Sequence, residues 1–249
     1  MEDLIYLDNG ATSFPKPEAV YVFMDTFYRK YGVSPGRSGY DLSIETGQII
    51  QKARKTLAAY FNGRDPNRLI FSANSTDALN LAINGLVSPG DHVITTTLEH
   101  NAVLRPLYHM AHYNKVEVDH IPFNAKGFVT PEDFAAKFKS NTRLVVVNHG
   151  SNVIGTVQPI KEIGKICAAK GVTFLVDASQ TAGKLPIDIE AMNIDVIAFT
   201  GHKSLLGPTG IGGLYVKENV TIKHTRSGGT GVKSAQRHHL EEYPYRLES

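Results

Sequence analysis

Arg143-Leu-Val-Val-Val-Asn148, Ile160-Lys-Glu-Ile-Gly-Lys-Ile-Cys-Ala-Ala169 and Val172-Thr-Phe-Leu-Val-Asp177 follow one another along the chain, and that succession decides the fold. The first and third stretches are continuous apolar runs of strand length. The middle one has helical spacing. A strand that is apolar on both of its faces needs cover on both, which is the situation of a parallel sheet joined by helical crossovers.

The same alternation extends outward from this unit. Toward the N-terminus, Ile49, Ile50, Ala53, Leu57 and Phe61 recur at helical spacing, with Gln51, Lys52, Arg54 and Lys55 on the other face. Arg68 to Phe71 reads as a buried strand, Thr76 to Leu86 as a helix stopped by Ser88-Pro-Gly-Asp91, and His92 to Thr96 as a strand. Asn101 to Tyr113 is a helix, Lys115 to Ile121 a strand and Glu132 to Phe138 a short helix. Toward the C-terminus, Val196 to Phe199 and Gly212 to Val216 are further strands. The expected class is α/β, doubly wound, without internal repeats. Asp8 to Pro17 (DNGATSFPKP) is turn-rich and has no place in such a sheet, so residues 1–16 read as an arm and 17–249 as one large domain.

Composition agrees with this reading and removes others. Across 249 residues, 26 Lys and Arg face 24 Asp and Glu, a net charge of +2 that gives no footprint for nucleic acid or an acidic membrane surface. With 42% hydrophobic and 20% charged residues there is material for a full core, and disorder or coiled coil is excluded. The single cysteine, Cys167, rules out an internal disulfide and a cysteine zinc site and suits a reducing compartment. Neither a signal-peptide core nor a membrane-length apolar run is present, so the expected setting is the cytoplasm.

Ligands of open parallel sheets bind outside the carboxyl ends of the strands. Four strands here end in polar clusters: Glu99-His-Asn101, Asn148-His149 running on to Ser151-Asn152, Asp177-Ala-Ser-Gln180, and Thr200-Gly-His-Lys-Ser204. Singly, Asp177 reads as a helix cap, His100 as a packed imidazole and Lys203 as a surface cation. Together they place a carboxylate, imidazoles, amides and a lysine along one edge, which has the makings of a site. Ser75 and Thr76 open a helix whose free N–H groups could receive an anion, although hydroxyl residues there are also ordinary caps.

Several common signatures are missing. Gly207 to Gly213 precedes a strand and is not G-x-G-x-x-G, which disfavours a nicotinamide site. There is no phosphate-binding G-x-x-x-x-G-K-[ST] loop, no H-E-x-x-H and no G-x-S-x-G. His109 with His112, and His238 with His239, lack the further ligands of a metal site, so no metal is expected.

Thr200-Gly-His-Lys-Ser-Leu-Leu-Gly-Pro-Thr-Gly-Ile-Gly-Gly213, with Val176-Asp-Ala-Ser-Gln-Thr-Ala-Gly183 upstream, resembles the class V aminotransferase family of pyridoxal 5'-phosphate (PLP) enzymes, and within it the cysteine desulfurase and selenocysteine lyase branch. Leu7-Asp-Asn-Gly-Ala-Thr12, Ser75-Thr76 with Leu79-Asn80, Leu98-Glu-His-Asn-Ala102 and Ser151-Asn-Val-Ile-Gly-Thr156 extend the likeness in the right order. It implies a fold type I large domain: a mainly parallel seven-stranded sheet with helices on both faces.

The resemblance also implies roles. Lys203 would hold the cofactor aldehyde covalently, and Asp177 would keep the pyridine nitrogen protonated. A charge pair at ~4 Å is worth about 4 kcal/mol at an effective dielectric near 20, enough to sustain that proton. His100 would stack on the ring, with Asn152 and Gln180 near its phenolic oxygen. Ser75, Thr76, Thr200 and His202 would cradle the phosphate, with Thr200 standing where the family more often has Ser. Asn9, Ala11 and Arg37 would lie near the substrate. The implied reaction turns L-cysteine into L-alanine with the sulfur passed to an enzyme cysteine as a persulfide, in a homodimer, with a sulfur-acceptor protein as a further partner.

Cys167 lies in a helical run and does not match that nucleophile. A chain of this type continues past Tyr245-Arg-Leu-Glu-Ser249 into a Gly-Thr and a small C-terminal domain bearing the nucleophilic Cys and a substrate-binding Arg. The expectation is therefore of a large domain whose small domain is missing. Two alternatives stand beside the desulfurase reading: a catalytically silent PLP-binding or scaffold protein, and a family relative acting on another amino acid such as selenocysteine.

Overall fold

The computed structural model describes residues 4–35, 39–233 and 235–248. Its frame is one seven-stranded sheet built from β1 (Leu69–Ser72), β2 (His92–Thr96), β3 (Glu117–Ile121), β4 (Thr142–Asn148), β5 (Thr173–Asp177), β6 (Val196–Thr200) and β7 (Gly212–Val216). The strand order is β1-β7-β6-β5-β4-β2-β3. From β6 through β5, β4 and β2 to β3, all neighbours are parallel.

β7 breaks the pattern by pairing antiparallel with both β6 and β1. No helix lies between Thr200 and Gly212, so the chain returns beside β6 as a hairpin, without the crossover a parallel neighbour needs. Edge strand β3 also departs from the continuous apolar pattern. Glu117, Asp119 and His120 interrupt it, as suits an edge exposed to water.

Alternate residues of each strand feed two separate cores. Leu144 and Val146 of β4, with Val93, Leu175 and Ala198, pack under α3 (Ser75–Leu86) and α4 (Asn101–Asn114). Val145 and Val147, with Ile94, Phe174, Val176 and Phe199, pack under α2 (Asp41–Tyr60) and α6 (Ile160–Lys170). Helices therefore cover both faces, as the apolar runs require. The short helix α5 (Pro131–Ala135) is less than the Glu132 to Phe138 stretch suggests, and buries Phe134.

Two helical features lie outside the hydrophobic periodicity. α2 starts at Asp41, ahead of Ile49, because its first turns are tied by hydroxyls: Ser43 donates to the Ser34 carbonyl and Thr46 to that of Tyr31. α1 (Glu18–Tyr31) buries no residue, and its apolar side chains Val20, Met24, Phe27 and Tyr31 reach only half-burial. Among the described residues no helix is long and apolar enough to cross a membrane.

Candidate active site

Because β2, β4, β5 and β6 are parallel neighbours, their carboxyl ends lie side by side. Asn148 is in register with Asp177, and Asp177 with Ala198. Glu99, His100, Asn148 to Asn152, Asp177 to Gln180 and Thr200 to Ser204 thus occupy one edge of the sheet, where the sequence places them.

Asp177 ends β5 and is only 3% exposed. Its Oδ1 accepts from the backbone N–H of Ser179 at 2.9 Å and from the Ser179 hydroxyl. That fixes the carboxylate and leaves Oδ2 without a hydrogen-bond partner among the described residues. Lys203 is half-buried, and burial pushes its amine below the usual lysine range, with the Asp177 charge pulling it part of the way back. No described residue hydrogen-bonds its Nζ. A partly desolvated amine within the field of a fixed carboxylate has the chemistry to receive a polar ligand.

His100 caps α4: its Nδ1 accepts from the Ala102 N–H at 3.1 Å, which leaves the exposed side of the ring turned away from the helix. His149, at the end of β4, is 5% exposed. Its Nδ1 is 2.9 Å from the Thr181 hydroxyl, and burial pushes the imidazole down to about 4, so it is neutral near pH 7. Sequence reading left His149 without a role. Its polarity at a strand end was visible, but its contact with Thr181 depends on the turn after β5.

The opposite side of the edge has the character of an anion cradle. The side chain of Asn74 caps α3 by accepting from the Asp77 N–H at 2.9 Å. The N–H groups and hydroxyls of Ser75 and Thr76 in the first turn remain without protein partners among the described residues. The Thr200 Oγ1 is fully buried and equally without a partner. Gly212 lets β7 pass this point, since a Cβ there would come within 2.5 Å of the Asn74 backbone. Its neighbour loop is shaped by Leu206, whose φ of 61° is left-handed.

An N-terminal arm closes over the lysine loop. The carbonyl of His202 accepts from the Thr12 hydroxyl at 3.0 Å, the Ser13 N–H and hydroxyl at 3.1 Å, and the Lys16 ammonium at 2.6 Å. His202 Nδ1 also lies 3.0 Å from the Thr12 hydroxyl. Gln180 reaches across to donate to the Gly10 carbonyl at 2.9 Å. Burial and the charges of Lys203 and Lys16 push His202 down in proton affinity. Thr12 stood out only as part of the Leu7 to Thr12 run, and Ser13 and Lys16 were given no role, because what they bind is a backbone carbonyl far along the chain.

Other expected residues fall less centrally. Asn9 uses its Oδ1 to accept from the Phe14 N–H at 3.2 Å, inside the arm, and Ala11 is exposed beside it. Asn152 is exposed in a turn that Ser151 organises by accepting from Val153 and Ile154. Arg37 lies outside the described residues. Cys167 is buried within the core beneath α6, which pushes its thiol up to about 12. Among the described residues no three His, Cys, Asp or Glu side chains gather as a metal site, and His109 and His112 are exposed on α4 beside Tyr113.

Comparison with known proteins points the same way. Residues 5–249 match the model of the aminotransferase class-V family. The chain is 36% identical over 236 residues to the cysteine desulfurase IscS of Clostridium botulinum, covering 92% of this chain and 57% of that protein. It is 33% identical over 254 residues to a probable cysteine desulfurase of Methanothermobacter thermautotrophicus, covering all of this chain and 63% of the relative. Among solved structures, a cysteine desulfurase from Thermococcus onnurineus NA1 superposes with a TM-score of 0.93 at 32% identity, over 100% of this chain and 63% of that one. A structure of SspA in complex with cysteine superposes with a TM-score of 0.85 at 29% identity, over 91% and 65%. The chain thus spans roughly three fifths of the length of the relatives it matches.

Proposed function

The chain belongs to the aminotransferase class-V family, and from that premise we propose that its sheet edge binds PLP and serves the removal of sulfur from L-cysteine, yielding L-alanine and leaving the sulfur as a persulfide on a thiol acceptor. The observation that carries this reading is the half-buried amine of Lys203, within the field of the Asp177 charge, together with the buried hydroxyl of Thr200, neither with a hydrogen-bond partner among the described residues. Buried polar atoms without partners cost free energy, and a phosphate and a pyridine nitrogen are the chemical types those atoms fit.

The residues present suit such a group. Ser75, Thr76, Thr200 and His202 would hold the phosphate, with the N-terminus of α3 contributing its N–H groups. Asp177 would hold a proton at the ring nitrogen. His100 would lie against the ring, and Asn152 and Gln180 near its phenolic oxygen. When bound, PLP supplies an aldehyde that bonds covalently to amines and a ring that accepts an electron pair. Lys203 has the lowered proton affinity that a nucleophilic amine and a proton carrier both need. The arm over 1–16, with Asn9 and Ala11, would face the amino-acid substrate, while 17–249 would form the large domain. A homodimer, a sulfur-acceptor protein and a cytoplasmic setting belong to the same proposal.

The test is direct. Incubated with PLP, the chain is expected to gain the visible absorption of lysine-bound cofactor, and Lys203→Ala to lose it. Alanine and sulfide released from cysteine, compared with selenium released from selenocysteine, identify the substrate. Binding without turnover would instead fit a silent PLP-binding protein.

A further inference from the structure

Glu99 follows the end of β2 and is, with Asp177, one of two buried acids at the sheet edge. Its Oε1 accepts two hydrogen bonds, from the Thr96 hydroxyl at 2.7 Å at the end of β2 and from the backbone N–H of Asn148 at 2.9 Å on β4. The Asn148 side chain extends the link by donating to the Leu98 carbonyl at 3.3 Å and accepting from the Gly150 N–H at 3.0 Å. One carboxyl group therefore ties the end of β2, where His100 follows, to the end of β4, whose Asn148 is in register with Asp177. The second oxygen, Oε2, is buried with no hydrogen-bond partner among the described residues.

A negative oxygen sealed from water with no donor is far more costly than a neutral hydroxyl in the same place. The surroundings supply no cation to compensate. β2 presents the neutral Thr96, β4 the backbone of Asn148, and β5 the Asp177 charge, which repels a second anion. The His149 ring is engaged with Thr181, and the Lys203 amine is coupled to Asp177. Burial, with Asp177 adding to it, pushes Glu99 up to about 8 against the hydrogen bonds that favour ionisation.

We propose that Glu99 is a positioning residue: a neutral carboxylic acid that clamps the ends of β2 and β4, with its proton on Oε2, so that His100 and Asp177 hold a fixed relation without a second negative charge beside Asp177. The positioning part rests on the PLP reading above, whereas the protonation does not. Gln is the closest mimic of such an acid, since its carbonyl can accept from Thr96 and Asn148 while its amide takes the place of the protonated oxygen.

The test has two readouts. In the chain without PLP, a pH titration of the carboxyl groups by 13C NMR or infrared spectroscopy is expected to show one acid that ionises near pH 8 and disappears in Glu99→Gln. An unchanged titration in Glu99→Gln, with no acid ionising above about pH 6, overturns the protonated clamp. For positioning, PLP affinity is expected to stay within about threefold in Glu99→Gln and to weaken about tenfold or more in Glu99→Ala, which strands the buried donors of Thr96 and Asn148. Equal weakening in both variants, with both folded by circular dichroism, contradicts it. If the unmutated chain takes up no PLP, the functional reading fails while the carboxyl titration still decides the state of Glu99.

Discussion

The two ends of the parallel sheet use the same kinds of side chain to opposite effect. At the amino-terminal end, His92 is fully buried with both nitrogens engaged, Nδ1 2.8 Å from the Thr142 hydroxyl and Nε2 3.2 Å from Asp119. Asp119 in turn meets Lys137 and Lys139, and Lys139 meets Glu117. At the carboxyl end a Thr, an Asp and a Lys are again close together, yet Thr200 Oγ1 and Glu99 Oε2 have no partner and Lys203 makes no hydrogen bond with a described residue. Among the described residues the third buried side-chain atom without a partner, Arg54 Nε, belongs to a guanidinium whose other nitrogens already bind Glu248 at 2.7 and 2.9 Å. Polar groups that satisfy one another hold a fold together, whereas an unsatisfied hydroxyl such as Thr200 Oγ1 at a strand end is free to serve a group that arrives from outside.

The sharpest way to break this contrast is to exchange acids at the two ends. Asp177→Asn is expected to cut cysteine-dependent alanine formation, assayed with excess thiol as acceptor, by about a hundredfold or more, because it removes the charge that would hold the ring proton. Asp119→Asn at the other end should leave that rate within about twofold, as most surface-network changes do. Equal losses would mean that the two ends are not functionally distinct.

Buried histidines provide the next test. Burial lowers His149 to about 4 and also lowers His92, where the neighbouring Asp119 works in the opposite direction. Each is neutral in the fold, while the unfolded chain takes up a proton near pH 6.5. Stability from both is therefore present above pH 6.5 and lost as pH falls. For His149 the loss runs from pH 6.5 to about 4 and amounts to about 3 kcal/mol. Glu99 contributes with the opposite sign, its raised proton affinity destabilising the fold as pH rises from about 4.5 toward 8. Urea melts across this range should show that His149→Gln removes more of the acid-side loss than His92→Gln does.

Threonines at the two ends should also behave in opposite ways. Thr200→Val is expected to weaken PLP binding about tenfold and to leave the PLP-free chain as stable or more so, since the hydroxyl it removes satisfies nothing. Thr142→Val should leave PLP affinity unchanged and cost about 1 kcal/mol of stability, since its hydroxyl serves both His92 and the Lys139 N–H. The smallest effect is expected at Thr76→Ala, about threefold in PLP affinity, because the main-chain donors of α3 remain.

Much of this was legible from the chain alone, for a physical reason. Each central strand is an apolar run that ends abruptly in polar residues at Thr96, Asn148, Asp177 and Thr200, so the site edge announces itself in one dimension. What stayed hidden depends on contacts that carry no periodic signal. The antiparallel course of β7 follows from a helix-free connection. α1 buries nothing. The arm is secured through the His202 carbonyl by Thr12, Ser13 and Lys16, and the Arg54 to Glu248 pair joins α2 to the last described turn. Glu99 was visible as a residue after a strand end, but its link to Asn148 and the lack of a described partner for its Oε2 are set by the fold.

The most direct test of the central claim is to load the chain with PLP, reduce it with borohydride and map the modified peptide by mass spectrometry. The pyridoxyl group is expected on Lys203 alone, and none on the Lys203→Ala chain. Equal labelling of Lys16 or of surface lysines, or labelling that persists at the same level without Lys203, would contradict the account.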